Sequence, residues 1–181
     1  SHTIIIDALT KRAYTWGKND RNQLGYQQSI LNNGKPMTSP STENYAKEAH
    51  LVTRDKGDLN FLEVASGKNH SVGIVIPASE AETATQGTVY AWGDNTYGQL
   101  GIGLTSDATP YSTTPTVAIN GNVKKVVVGD GFMVAVTING EVYAWGRNDN
   151  GQLGNGTKDN SISPVRVEGI DNVVDIAVGL N

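Results

Sequence analysis

Three short stretches hold residue types at spacings that can do chemistry. Gly93-Asp-Asn-Thr-Tyr-Gly98 has the Gly-x-x-x-x-Gly spacing of a phosphate loop. Such a loop needs Lys and then Ser or Thr after its second glycine, to meet the phosphates and their magnesium ion. Gln99 and Leu100 stand there instead. Asn148-Asp-Asn-Gly151 resembles part of a calcium loop. With Gly151 at its sixth place that loop would run from Gly146 to Thr157, and neither end is acidic. Asn148 is expected instead to hydrogen-bond the backbone of its own turn. Asn69-His70-Ser71 sets a base beside a hydroxyl, but adjacent strand residues point to opposite faces. His50 has no visible partner, and the scattered carboxylates form no matched acid/base pair. No catalytic, cofactor-binding or metal-binding residue is therefore expected.

The elements that hold these stretches are copies of one another. Tyr90-Ala-Trp-Gly-Asp-Asn-Thr-Tyr-Gly-Gln-Leu-Gly101 recurs as Tyr143-Ala-Trp-Gly-Arg-Asn-Asp-Asn-Gly-Gln-Leu-Gly154 and Tyr14-Thr-Trp-Gly-Lys-Asn-Asp-Arg-Asn-Gln-Leu-Gly25. The shared core is Trp16, Gly17, Gln23, Leu24 and Gly25; Trp92, Gly93, Gln99, Leu100 and Gly101; Trp145, Gly146, Gln152, Leu153 and Gly154. Asn22 replaces one glycine in the first copy. A threefold repeat of glycines is explained by tight turns more simply than by three ligand loops. An apolar run precedes each core, and Gly67-Lys-Asn-His70 and Gly129-Asp-Gly-Phe132 precede two of those runs. His2, His70 and Phe132 share one repeat position. A catalytic residue does not interchange with Phe, whereas a packing residue does. The units span 2–69, 70–131 and 132–181.

Each unit reads as strands. Glu141-Val-Tyr-Ala-Trp145 is β-branched and aromatic, and the Asn139-Gly140 turn predicts that it pairs antiparallel with 132–137. Val123–Val128 and Val173–Val178 are strands of the same kind. Pro115 and Pro164 are expected to open short edge strands. Val142 to Trp145 is apolar on both faces, so both faces must be covered. Sheets stacked between like sheets do this, as propeller blades do. The fold class is therefore all-β, with about three blades of four antiparallel strands. Each Trp is expected to pack blade on blade, and Gln99 and Gln152 to brace the neighbouring blade.

These residues resemble the regulator of chromosome condensation repeat, whose signature is a Gly-x-x-His-Ser-like strand, a hairpin and an aromatic-Trp-Gly-x-Asn-x-x-Gly-Gln-Leu-Gly run. The resemblance implies a β-propeller, usually of seven blades. Three units then mean part of a longer propeller, a ring completed by other copies, or an open arc. Exposed end faces predict continuation or self-association.

Function is expected where the units differ. Long loops on a rigid scaffold carry binding. The insertion 26–50 holds Tyr26 and Tyr45, 77–86 holds Pro77, Glu80 and Glu82, and 103–113 holds Leu104 and Tyr111. The chain is expected to be a non-catalytic scaffold that presents these loops to a protein partner. A formal charge of -4 leaves no electrostatic footprint for nucleic acid. No run approaches the ~20 apolar residues of a membrane helix. The chain has no cysteine and is rich in Asn, Thr and Gly, which favours an exported or surface protein of a bacterium. The resemblance also implies two alternatives. The namesake of the family is a guanine-nucleotide exchange factor for a small GTPase that docks on chromatin, and a bacterial relative inhibits a β-lactamase through one propeller face.

Overall fold

The computed structural model describes residues 1–26, 45–54 and 57–179. Of the insertion 26–50, residues 27–44 lie outside these described residues. The described residues form twelve strands: β1 (His2–Ile6), β2 (Ala13–Lys18), β3 (Tyr45–Leu51), β4 (Thr53–Arg54), β5 (Gly57–Asp58), β6 (Asn60–Ser66), β7 (His70–Ile76), β8 (Gly87–Asp94), β9 (Tyr111–Val128), β10 (Phe132–Thr137), β11 (Val142–Gly146) and β12 (Ser161–Arg166). One 3-10 turn, Ala78–Glu80, follows β7.

All pairings are antiparallel, in sheets ordered β1-β2-β3, β4-β5 and β12-β11-β10-β9-β8-β7-β6. The seven-stranded sheet is two four-stranded blades joined through β9. The first part of β9 pairs with β8, from Asp94↔Tyr111 to Gly87↔Val123. Its last part pairs with β10, from Thr137↔Val123 to Met133↔Val128. Gly121 and Asn122, both at positive φ, carry the chain across from one blade to the next. The sheet β1-β2-β3 repeats the order of β7-β8-β9 and β10-β11-β12. The register confirms the equivalence: His2↔Gly17, His70↔Gly93 and Phe132↔Gly146.

The Asn139-Gly140 hairpin forms as expected. Val136 faces Val142, and the Gly140 amide donates to the Thr137 carbonyl at 3.0 Å. Pro115 and Pro164 do lie in strand segments with a neighbour on one side only, but those strands begin earlier, at Tyr111 and Ser161. Two expected loops are shorter than the sequence suggests. Tyr45 to His50 belongs to β3, and Tyr111 to Thr113 belongs to β9, because each finds a ladder partner in the strand before it. Residues 173–178 form no ladder. Their counterparts β6 and the last part of β9 pair with the strands that follow them, and among the described residues this segment has no such partner. The segment is held from the side instead, by the Lys124 ammonium on the Val173 carbonyl at 3.1 Å and by a Lys125–Asp175 ion pair.

Two apolar cores lie between the sheets. Ala13, Val52, Leu59, Phe61 and Trp92 fill the space between β1-β2-β3 and the next blade. Val72, Ile74, Leu100, Met133, Ala135 and Trp145 fill the following one. Trp92 and Trp145 are fully buried. Burying a large apolar side chain is worth ~1.5–3 kcal/mol, so the seams are the main source of cohesion between blades.

Candidate functional site

The repeated Asn-x-x-Gly-Gln-Leu-Gly turn is built three times from the same bonds. The Oδ1 atoms of Asn19, Asn95 and Asn148 accept the amides of Leu24, Leu100 and Leu153 at 3.1, 3.1 and 2.9 Å. This is the role expected of Asn148. Its Nδ2 also donates to the carbonyls of Thr157 and Asp159, both at 3.0 Å, and so ties the turn to the loop beyond it. Gln99 and Gln152 do not brace the neighbouring blade with their side chains as expected. Gln99 Oε1 accepts the Tyr97 amide at 2.7 Å, and its Nε2 donates to Asp94 Oδ2 at 3.1 Å. Gln23 and Gln152 likewise accept the amide two residues before them, and their Nε2 atoms donate to Asp20 and Asp149, three residues before them, within their own turns. The glutamine side chain braces its own turn because its short reach is used up there.

The main chain of that glutamine is what bridges blades. Trp92 Nε1 donates to the Gln23 carbonyl and Trp145 Nε1 to the Gln99 carbonyl, both at 3.0 Å. The last glycine of each turn makes room for this indole. A Cβ on Gly101 would lie 2.7 Å from Trp145 Nε1, and one on Gly25 would overlap the Trp92 ring. Trp16 holds the same repeat position but is only partly buried, since no other described unit lies against it. Asn22 adopts φ 57°, close to the values of the glycines it replaces, Gly98 and Gly151. Asn is among the few other residues that tolerate this region.

The histidine position is a packing position. The rings of His70 and Phe132 each lie across the glycine three residues earlier; a Cβ on Gly67 would be 2.5 Å from the His70 ring. His70 is buried, which drives its pKa down to about 3. His2 is lowered to about 4 by burial and by the nearby N-terminal amine. Its Nε2 bonds Ser71 Oγ at 2.7 Å, and that hydroxyl donates to the Gln23 carbonyl at 2.8 Å. Ser71 has one proton and gives it to the carbonyl, so His2 donates through Nε2. Ser71 is therefore a seam residue and not a nucleophile. Among the described residues no group of three or more His, Cys, Asp or Glu is placed to hold a metal ion.

The expected partner-binding residues do not form one surface. Tyr45 and Tyr111 start equivalent outer strands, opposite Lys18 and Asp94, and both are substantially exposed. Leu104 is exposed in the loop before Tyr111. Tyr26 is half-buried and its ring lies 4.7 Å from that of His50; burial raises its pKa. Pro77, Glu80 and Glu82 are exposed at the other end of β8, because an antiparallel strand carries its two connections at opposite ends.

A further locus comes from the repeat's variable positions. Arg21, Lys68, Asp94, Tyr97, Asp130 and Arg147 line one pocket of about 260 Å³. All lie at x positions of Trp-Gly-x-Asn-x-x-Gly or Gly-x-x-His. The sequence signal for this pocket was the charge at those positions, which the invariant frame around them obscures.

The repeat, the blades and the tryptophan seams define a propeller-type repeat protein. The model of the regulator of chromosome condensation (RCC1) repeat matches residues 12–74, 86–136 and 139–181, and the chain belongs to this family. It is 31% identical to the ultraviolet-B receptor UVR8 of Arabidopsis thaliana over 88% of this chain and 31% of the receptor. It is 32% identical to the E3 ubiquitin-protein ligase HERC2 of Homo sapiens over 98% of this chain and 4% of the ligase. The chain thus spans less than a third of the length of either relative. Solved structures share the fold: human WBSCR16 superposes with a TM-score of 0.68 at 24% identity, covering 91% of this chain and 38% of that one. Prp20p of Saccharomyces cerevisiae superposes with a TM-score of 0.68 at 19% identity, covering 92% and 36%.

Proposed function

We propose that the chain is a non-catalytic scaffold whose blades present exposed loop residues to a protein partner. One observation carries this reading. The repeated Asn, Gln and Trp groups, and Ser71 at the first seam, are spent on turns and seams, which leaves the variable positions and loops as the chemically free surface. Yeast Prp20p, which shares the fold, is described with binding properties to Gsp1p and histones. The exchange-factor and inhibitor readings require a protein-facing surface as well. The 77–86 insertion, however, forms a 3-10 turn with exposed glutamates and no protruding strand pair.

Benzoylphenylalanine placed at Glu80, Tyr97 or Tyr111 in turn is expected to cross-link a discrete protein from one position only, in extract of the source cells. Adducts from none of the three, or equally from all, overturn the reading. On composition we further place the protein outside the cell; recovery only in a cytosolic fraction would refute that. We also propose that the exposed faces at Trp16 and at Val174 are covered by further repeats or by another copy. A monodisperse monomer of this chain by light scattering would count against that.

A further inference from the structure

An Asn-Gly pair can modify itself. Glycine sets no side chain over its own amide, so that nitrogen can reach the side-chain carbonyl carbon of the asparagine before it. The chain has five such pairs: Asn33-Gly34, Asn120-Gly121, Asn139-Gly140, Asn150-Gly151 and Asn155-Gly156. The first lies outside the described residues. We propose that Asn155 is a self-modification site, where attack by the Gly156 nitrogen on Asn155 Cγ releases ammonia and leaves an aspartyl or isoaspartyl residue.

The nucleophile sets Asn155 apart. The Gly121 amide donates to Thr88 Oγ1 at 3.1 Å, the Gly140 amide to the Thr137 carbonyl at 3.0 Å and the Gly151 amide to the Asn148 carbonyl at 2.9 Å. Each must give up that bond before its nitrogen can lose a proton and attack. The Gly156 amide donates to no group among the described residues. Gly156 is exposed, and a Cβ there would meet nothing within 4 Å, so water and hydroxide reach its amide. Gly140, in contrast, is buried against Asn172 and Val173.

The electrophile is prepared as well. Asn155 Oδ1 accepts the Thr157 amide at 3.1 Å, the Thr157 hydroxyl at 3.0 Å and Asn148 Nδ2 at 3.2 Å. The Thr157 amide can only donate, which identifies the atom it meets as the oxygen. Negative charge develops on that oxygen as the Gly156 nitrogen adds to Cγ, and donors already aimed at it stabilise the adduct. Asn155 Nδ2, the leaving group, is bonded to nothing among the described residues. The Gly156 N–Cγ bond forms and the Cγ–Nδ2 bond breaks; the proton lost by Gly156 leaves on Nδ2, as ammonia, through solvent. Water then opens the imide. Opening at Cγ gives aspartyl, and opening at the Asn155 main-chain carbonyl routes the chain through the side chain as isoaspartyl. Either product adds a negative charge to the loop between β11 and β12. The isoaspartyl form also lengthens the backbone where Asn148 Nδ2 ties that loop to its turn.

The test is peptide mass spectrometry of the full chain held at mildly alkaline pH, folded and in guanidinium chloride, with isoaspartyl content read by isoaspartyl methyltransferase labelling. Trypsin cuts after Arg147 and Lys158, so Asn150 and Asn155 share a peptide and fragment ions assign the change. In the folded chain Asn155 is expected to convert at least fivefold faster than Asn120, Asn139 or Asn150, and to stay within threefold of its own rate in denaturant. The other three are expected to fall at least tenfold below theirs. Thr157→Val keeps the Asn-Gly pair and removes the hydroxyl donor; it is expected to slow Asn155 at least twofold in the folded chain and to leave the denatured rate unchanged. Three results overturn the assignment: Asn155 converting no faster than Asn150 in the folded chain, protection of Asn155 by folding as strong as that of the others, or an unchanged or raised folded-state rate in Thr157→Val.

Discussion

Gly101 shows what a single residue decides in this fold. Its φ of +67° is costly for any residue with a Cβ, and a Cβ there would also press on the Trp145 indole at 2.7 Å. Gly103 shares the positive φ, but a Cβ there meets only Ser163 Oγ at 3.6 Å. The two positions separate backbone strain from steric overlap. Gly103→Ala is expected to cost about 1 kcal/mol, for the backbone alone. Gly101→Ala is expected to cost at least ~3 kcal/mol, because the indole must move and leave the Gln99 carbonyl. Urea denaturation of both variants measures the difference. Equal destabilisation would show that the glycine is required for its conformation and not for the approach of the tryptophan.

At the scale of the element, the hairpins differ while the turns do not. β10 and β11 are joined by a tight Asn-Gly turn, whereas β7 and β8 are joined by residues 77–86. Apart from half-buried Ala81, Ala84 and Gln86, this insertion is exposed. Its backbone bonds stay within one short 3-10 turn and the residues after it. Shortening a loop recovers only a little closure entropy, about 0.6 kcal/mol per halving. Replacing 77–86 with Asn-Gly is therefore expected to change stability by less than ~1 kcal/mol. A much larger loss, seen by thermal melting, would mean that the insertion holds the blade together and is not simply displayed on it.

At the scale of the whole molecule, the two seams differ in polarity. The first contains His2, bonded to Ser71, with His70 nearby; at the second, Phe132 and Met133 take the places of His70 and Ser71. Burial holds His2 and His70 at about 4 and 3, against about 6.5 in an unfolded chain. The unfolded state therefore takes up protons first as pH falls. The stability associated with these neutral rings is complete above about pH 6.5, and falls by about 1.4 kcal/mol per pH unit for each ring until its folded pKa is reached. His70→Phe, which copies the third unit, is expected to remove about half of the stability lost between pH 7 and pH 5. Urea midpoints at the two pH values measure it. An unchanged drop would place the acid sensitivity elsewhere.

By itself the sequence determined the repeat, the strand class and the identity of the packing residues. Each of these follows from local period and composition: apolar runs of strand length, an Asn-Gly turn, and Trp and Gly at fixed offsets. It also showed that Asn148 serves its own turn, because an Asx bond reaches only a few residues. Which group bridges two blades was decided only by tertiary structure. The glutamine side chain and its carbonyl are equally available in the sequence, and only the position of the next blade's indole selects the carbonyl. The strand at 173–178 needed a partner that no local pattern supplies, so its β-branched residues alone did not make a ladder. The charged pocket depended on tertiary structure most of all. Arg21, Lys68 and Arg147 are far apart in the chain and sit at positions the repeat leaves free, and they meet only because antiparallel blades bring the same connections to the same end.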